Sequence, residues 1–110
     1  TAFLAQGGHG CISVTSNVAP ALCAQMQEAW QKADMAAMAK ARDLLAPLHK
    51  ALFMEPSPAP VKYAASLLGF GTDSVRLPLV PASATARKAV EEALAFAGLL
   101  GQATNGKRVA

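Results

Sequence analysis

Cys11-Ile12-Ser13-Val14 is short, apolar and β-branched, and turn residues bound it on both sides. Such a run reads as one buried strand. A strand leaves backbone donors and acceptors open on two edges, and neighbouring strands must satisfy them. Nothing else in the 110 residues offers a second strand. The one other extended stretch, Val75 to Pro81, is apolar but carries Pro78 and Pro81, and reads as a loop packed on helices. Either the strand pairs with another polypeptide, or the chain is a piece of something larger. The second reading is preferred, because Thr1-Ala2-Phe3-Leu4-Ala5 also reads as an element entered midway.

The rest of the chain reads as four helices. Gln6-Gly-Gly-His-Gly10 is a tight turn, and Thr15-Ser16-Asn17 offers caps before Pro20, which suits a first helical turn. Leu22, Met26, Ala29, Trp30 and Ala33 then recur at helical spacing. Asp34 restarts the pattern as an N-cap, and Met35, Met38, Leu45, Leu48 and Leu52 make the stripe of a longer helix, bent if Pro47 lies inside it. Three prolines in Glu55 to Pro60 break it. A third helix runs from Pro60 through Val61, Ala64, Leu67 and Leu68 to Gly69, and a fourth follows Ser83 through Val90, Leu94 and Ala97 to Gly98. Residues 101–110 show no periodicity and read as a flexible tail. As a chain the protein is therefore expected to be mostly α.

Composition excludes several classes. With 53% hydrophobic and 15% charged residues, and alanine at 25 of 110 positions, the chain is not a disordered tail. Two cysteines cannot staple a fold of this size. The net charge of +3 comes from scattered cations with few aromatics between them, which argues against nucleic acid as a partner. No apolar run approaches the ~20 residues that span a bilayer.

The run Gly7 to Pro20, Gly-Gly-His-Gly-Cys-Ile-Ser-Val-Thr-Ser-Asn-Val-Ala-Pro, resembles the last strand and following loop of the dihydrodipicolinate synthase family. That family belongs to the pyruvate-dependent N-acetylneuraminate lyase superfamily. Pro47-Leu48-His49-Lys50-Ala51-Leu52-Phe53 continues the resemblance, and so does Glu55-Pro56-Ser57-Pro58-Ala59-Pro60-Val61-Lys62. Arg76-Leu77-Pro78-Leu79-Val80-Pro81 and the closing Ala97-Gly98-Leu99-Leu100 complete it. Separated motifs in the family's order are a far stronger signal than one Gly-rich turn.

The resemblance implies a (β/α)₈ TIM barrel with a C-terminal helical extension. On that template residues 1–33 carry the end of barrel helix seven, strand eight and helix eight, and residues 34–100 carry the extension. The implied reaction condenses pyruvate with aspartate semialdehyde in lysine (diaminopimelate) biosynthesis. A barrel lysine forms a Schiff base with pyruvate, and the resulting enamine attacks the aldehyde. In the family that lysine, the proton-relay tyrosine and the carboxylate-binding arginine lie on strands that precede residue 1. The chain alone is therefore expected to be inactive, with no catalytic residue, metal or cofactor of its own. Ile12 matches the residue whose backbone carbonyl faces bound pyruvate, so it is the one substrate-binding residue carried over. A cytoplasmic homo-oligomer, dimer or tetramer, is implied. Gln6 departs from the pattern, since an apolar residue there often joins a subunit contact, and this leaves the tetramer open. Two alternatives remain: another pyruvate lyase or aldolase of the superfamily, and a non-catalytic helical interaction domain.

Other candidates read as structural. His9 lies between glycines with no second ligand nearby, and reads as a turn residue. His49 reads as a satisfied core or interface histidine. Cys11 and Cys23 lack metal-site spacing and read as two reduced, buried thiols. The four methionines read as core filler. Lys62 reads as a helix-surface lysine. Thr15, Ser16 and Asn17 suit a cap, and their position after the strand also makes them candidates for substrate contact.

Overall fold

The computed structural model describes residues 1–101, and the expected tail beyond Gly101 lies outside them. Five helices follow one another: α1 (Ala2–Ala5), α2 (Pro20–Gln31), α3 (Met35–Leu52), α4 (Ala59–Leu67) and α5 (Ala84–Phe96). A single 3₁₀ turn, Thr15–Asn17, precedes α2. The helix starts follow from their local chemistry. Pro20 occupies the first turn of α2, Asp34 Oδ1 accepts the Ala37 N–H at 3.0 Å, and Ser83 Oγ accepts the Ala86 N–H at 3.2 Å. α3 runs unbroken through Pro47, which simply forgoes one backbone donor.

α3 is the centre of the bundle, packed against α2 on one side and against α4 and α5 on the other. Its Met38, Ala41, Leu45, Leu48 and Leu52 fall at alternating spacings of three and four, so all five share one face and are buried. Val90, Ala93 and Leu94 of α5, Val61 and Ala64 of α4, and Val18 and Ala19 ahead of α2 complete the core. Half of the buried hydrophobic side chains among the described residues are alanine. The helices therefore approach closely, and each buried residue contributes less than a leucine would.

The loop 70–83 is tied down by charge. Arg87 reaches back from α5 to Asp73 at 2.7 Å and donates from Nε to the Ala82 carbonyl at 2.9 Å. Its guanidinium lies 4.6 Å from the centre of the Tyr63 ring, while the Tyr63 hydroxyl donates to Glu91. Lys62 Nζ donates to the Ser74 carbonyl. The Val75–Pro81 stretch is irregular, as expected, although Leu77 is almost wholly exposed.

Three sequence expectations are corrected. Cys11–Val14 forms no strand, and the described residues contain none. No backbone N–H from His9 to Val14 donates to a backbone carbonyl among the described residues, because the chain provides no neighbouring strand to receive it. Ile12 is accordingly fully exposed rather than buried. The thiols are not both buried either: Cys11 is exposed and only Cys23 is half-covered. Of the methionines, Met38 is buried and Met26 packs against the core, while Met35 and Met54 remain exposed. Met35 is the first residue of α3, and Met54 lies just past its end, beside Ala89 and Glu92 of α5 in an open hollow.

Candidate functional site

The segment that sequence reasoning marks as functional divides at Ser13. Upstream, Cys11 and Ile12 are exposed and Gly10 is half-buried. From Ser13 to Asn17, every polar side chain is engaged. Ser13 Oγ accepts the Ser16 N–H at 3.1 Å, and Ser16 Oγ donates back to the Ser13 carbonyl at 2.7 Å. Asn17 Nδ2 donates to the Val14 carbonyl at 2.9 Å. The Thr15 carbonyl accepts from the N–H groups of Val18 and Ala19, at 3.0 and 2.9 Å. Short polar side chains bonding neighbouring backbone in this way shape a tight turn. Ser16 and Asn17 thus cap their own turn rather than α2, whose N-cap position is Ala19 with no side-chain bond.

Thr15 behaves differently from its neighbours. It is the buried polar side chain of the described residues, 1% exposed. Its hydroxyl shares a 2.6 Å hydrogen bond with Nδ1 of His49, 34 residues away on α3. Partial burial, and next the α-amino charge of Thr1, lower the His49 pKa below the ordinary 6.5. The ring is therefore neutral near pH 7, and with its proton on Nε2 the Thr15 hydroxyl donates to Nδ1. His49 is a satisfied histidine, as its setting among apolar residues suggested, but its partner lies in the turn and the residue as a whole is exposed. The Thr15 hydroxyl is thus engaged by a distant residue, unlike those of its neighbours in the turn.

A shallow groove of about 360 Å³ lies between the free segment and α2, lined by His9, Cys11, Ser13, Ser16, Cys23 and Gln27 among others. Burial raises the Cys23 pKa, a hydrogen bond from Ser13 opposes this, and Cys11 adds to the rise. Cys23 is thereby not made a nucleophile, since that needs a lowered pKa. Among the described residues no group of three or more His, Cys, Asp or Glu side chains is placed to hold a metal ion, and no helix is long and apolar enough to cross a membrane. His9 is exposed in the turn.

No described lysine sits in a dry pocket suited to amine chemistry. Lys62 is held by the Ser74 carbonyl, and Lys32 and Lys88 lie 3.7 and 3.9 Å from Glu28 and Glu92 one helical turn away. Lys40 and Lys50 are exposed. The proline-rich Glu55–Lys62 motif proves to be scaffolding. Glu55 accepts the Ser83 N–H at 3.0 Å, and its pKa is lowered by the Ser83 side chain and then by that backbone bond. This completes the cap of α5 from 28 residues upstream. Sequence reading missed it because the helix has alanine where a local capping acid would stand. It also missed Arg87 as a clasp, since nothing in spacing marks that one cation from the others.

Comparison with known proteins covers nearly the whole chain. Residues 1–97 match the dihydrodipicolinate synthetase family. A 4-hydroxy-tetrahydrodipicolinate synthase of Rhodospirillum centenum is 64% identical over 100 residues, which are 91% of this chain and 34% of that protein. The synthase of Bradyrhizobium diazoefficiens is 55% identical over 98 residues, 89% of this chain and 33% of its own length. The solved dihydrodipicolinate synthase of Thermotoga maritima superposes with a TM-score of 0.84 at 41% identity, covering 88% of this chain and 33% of that one. The chain thus spans about one third of the length of the proteins it matches.

Proposed function

The chain belongs to the dihydrodipicolinate synthetase family, and from that premise we propose that it is the C-terminal third of a pyruvate-dependent Schiff-base lyase. In this reading residues 1–33 supply the end of barrel helix seven, strand eight and helix eight. Residues 34–100 form the helical extension. The whole enzyme joins pyruvate to aspartate semialdehyde on the way to diaminopimelate and lysine, as a cytoplasmic homo-oligomer.

The observation that carries the reading is the state of residues 9–14. An apolar, β-branched segment sits fully exposed at Ile12 with its backbone donors unpaired, which is how a barrel strand looks when its neighbours belong to missing polypeptide. With strands on either side, the Ile12 carbonyl would stand at the C-terminal end of the barrel, where the active sites of this architecture lie. The amine that adds to the pyruvate C2 carbonyl, with loss of water, comes from a lysine upstream. The poor setting of every described lysine supports this division of labour.

The test uses borohydride, which reduces the iminium to a stable secondary amine. Labelled pyruvate and borohydride are expected to leave the isolated 110-residue chain unlabelled. A chimaera carrying residues 1–100 in place of the matched third of the Rhodospirillum centenum synthase is expected to be labelled on one lysine outside them, and to turn over. Stable label on the isolated chain, or an inactive chimaera, overturns the reading.

A further inference from the structure

We propose that Thr15 and His49 are a positioning pair, through which the helical extension holds the end of the substrate-facing segment in register. The inference deepens the proposed function and rests on it. Its evidence is the way the segment is anchored. From His9 to Val14 no backbone N–H is fixed to another carbonyl among the described residues, so the first firm points below Ile12 are those of the turn 13–17. The other hydrogen bonds of that turn are local, made to residues no more than four positions away, apart from the one Ser13 makes to Cys23 on α2. The Thr15–His49 bond is the one that ties the turn to α3, the first long helix of the extension, at 2.6 Å over 34 residues.

The geometry makes that bond an effective reference point. Thr15 is 1% exposed, and its carbonyl holds Val18 and Ala19, which are themselves in the main core. His49 follows Leu48, which is wholly buried, so the imidazole projects from a helix that has little freedom to shift. Thr15 lies only three positions after Ile12. A small rotation of the turn is therefore passed to the Ile12 carbonyl, where it lengthens or misaligns the contact with pyruvate and weakens binding. Neither side chain needs to reach the substrate. The pair fixes where a backbone acceptor stands, and so acts on pyruvate binding before it acts on the fold.

The experiment is steady-state kinetics of the chimaera. Thr15→Val keeps shape and volume but deletes the hydroxyl, and because His49 is exposed its freed Nδ1 can bond water, so the fold is retained. The expected result is a rise in pyruvate KM of about tenfold, the worth of one hydrogen bond, with kcat and melting temperature little changed. Thr15→Ser is expected to restore the KM. The double variant Thr15→Val/His49→Ala is expected to raise KM no further than either single change, because both remove the same bond. A Thr15→Val chimaera with unaltered pyruvate KM overturns the pair, as does a double variant whose effects multiply. An inactive chimaera with Thr15 and His49 intact instead overturns the proposed function beneath it.

Discussion

Replacing Ala33 by glycine is expected to stabilise the chain. α2 ends with Ala33 in the left-handed region, at φ +54°, the one non-glycine residue so placed among the described residues. Its neighbours show what that conformation achieves: the Asp34 N–H reaches back to the Ala29 carbonyl at 2.9 Å, and the Ala33 N–H to Trp30 at 3.0 Å. α4 and α5 end with the same pair of bonds. Phe70 donates to Ala65 and Leu99 to Leu94, each at 2.9 Å, but glycine holds the left-handed position, Gly69 at φ +85° and Gly98 at φ +71°. The three caps therefore differ chiefly by one Cβ. A left-handed L-residue costs roughly 1–2 kcal/mol, and glycine gives back about 0.5–1 kcal/mol through its looser unfolded chain. Ala33 is exposed, so removing its methyl group forfeits little burial.

The net gain is about 0.5–1 kcal/mol, or roughly 2–8 °C in melting temperature for a chain of this size. Gly69→Ala and Gly98→Ala are expected to lose a similar amount, and purely through backbone strain, since a Cβ at either position meets no atom within 4 Å. Thermal unfolding followed by helix circular dichroism reads all three. The reasoning is refuted if Ala33→Gly leaves the midpoint unmoved or lowers it while the two alanine variants fall.

Two further expectations concern the helix cap and the titrating ring. Ser83→Ala removes the acceptor of the Ala86 N–H and is expected to cost about 1 kcal/mol in urea unfolding; Glu55→Gln should weaken the same cap and abolish any acid-range loss of stability below pH 4.5 that arises from this lowered carboxyl. The His49 pKa is lowered in the fold, so between its folded value and 6.5 the unfolded chain binds the extra proton; stability is expected to fall as pH drops through that window, and unfolding midpoints of His49→Gln should lack this component.

Helix positions were legible because each has a local cause. Pro20, Asp34, Ser83, Gly69 and Gly98 act within one turn of themselves, and the stripe from Met38 to Leu52 needs only a helical period to be seen. The family was legible too, through motifs spread from Gly7 to Leu100. The candidate site was legible only as a stretch of chain. Sequence marked Ile12 and grouped Thr15, Ser16 and Asn17 as equals, whereas the structure gives Thr15 a distant partner and the other two local ones.

The residues alone determined that this chain would be helical, alanine-packed and interrupted by one strand-like segment. Those properties depend on backbone preference and on periodicity, which act over a few positions. Tertiary structure alone decided that the segment stays unpaired, that Glu55 caps a helix starting 29 residues later at Ala84, and that Arg87 clasps Asp73 and Tyr63. Each of these depends on which groups meet in space. A strand in particular is not a property of its own four residues, since its hydrogen bonds belong equally to its neighbours.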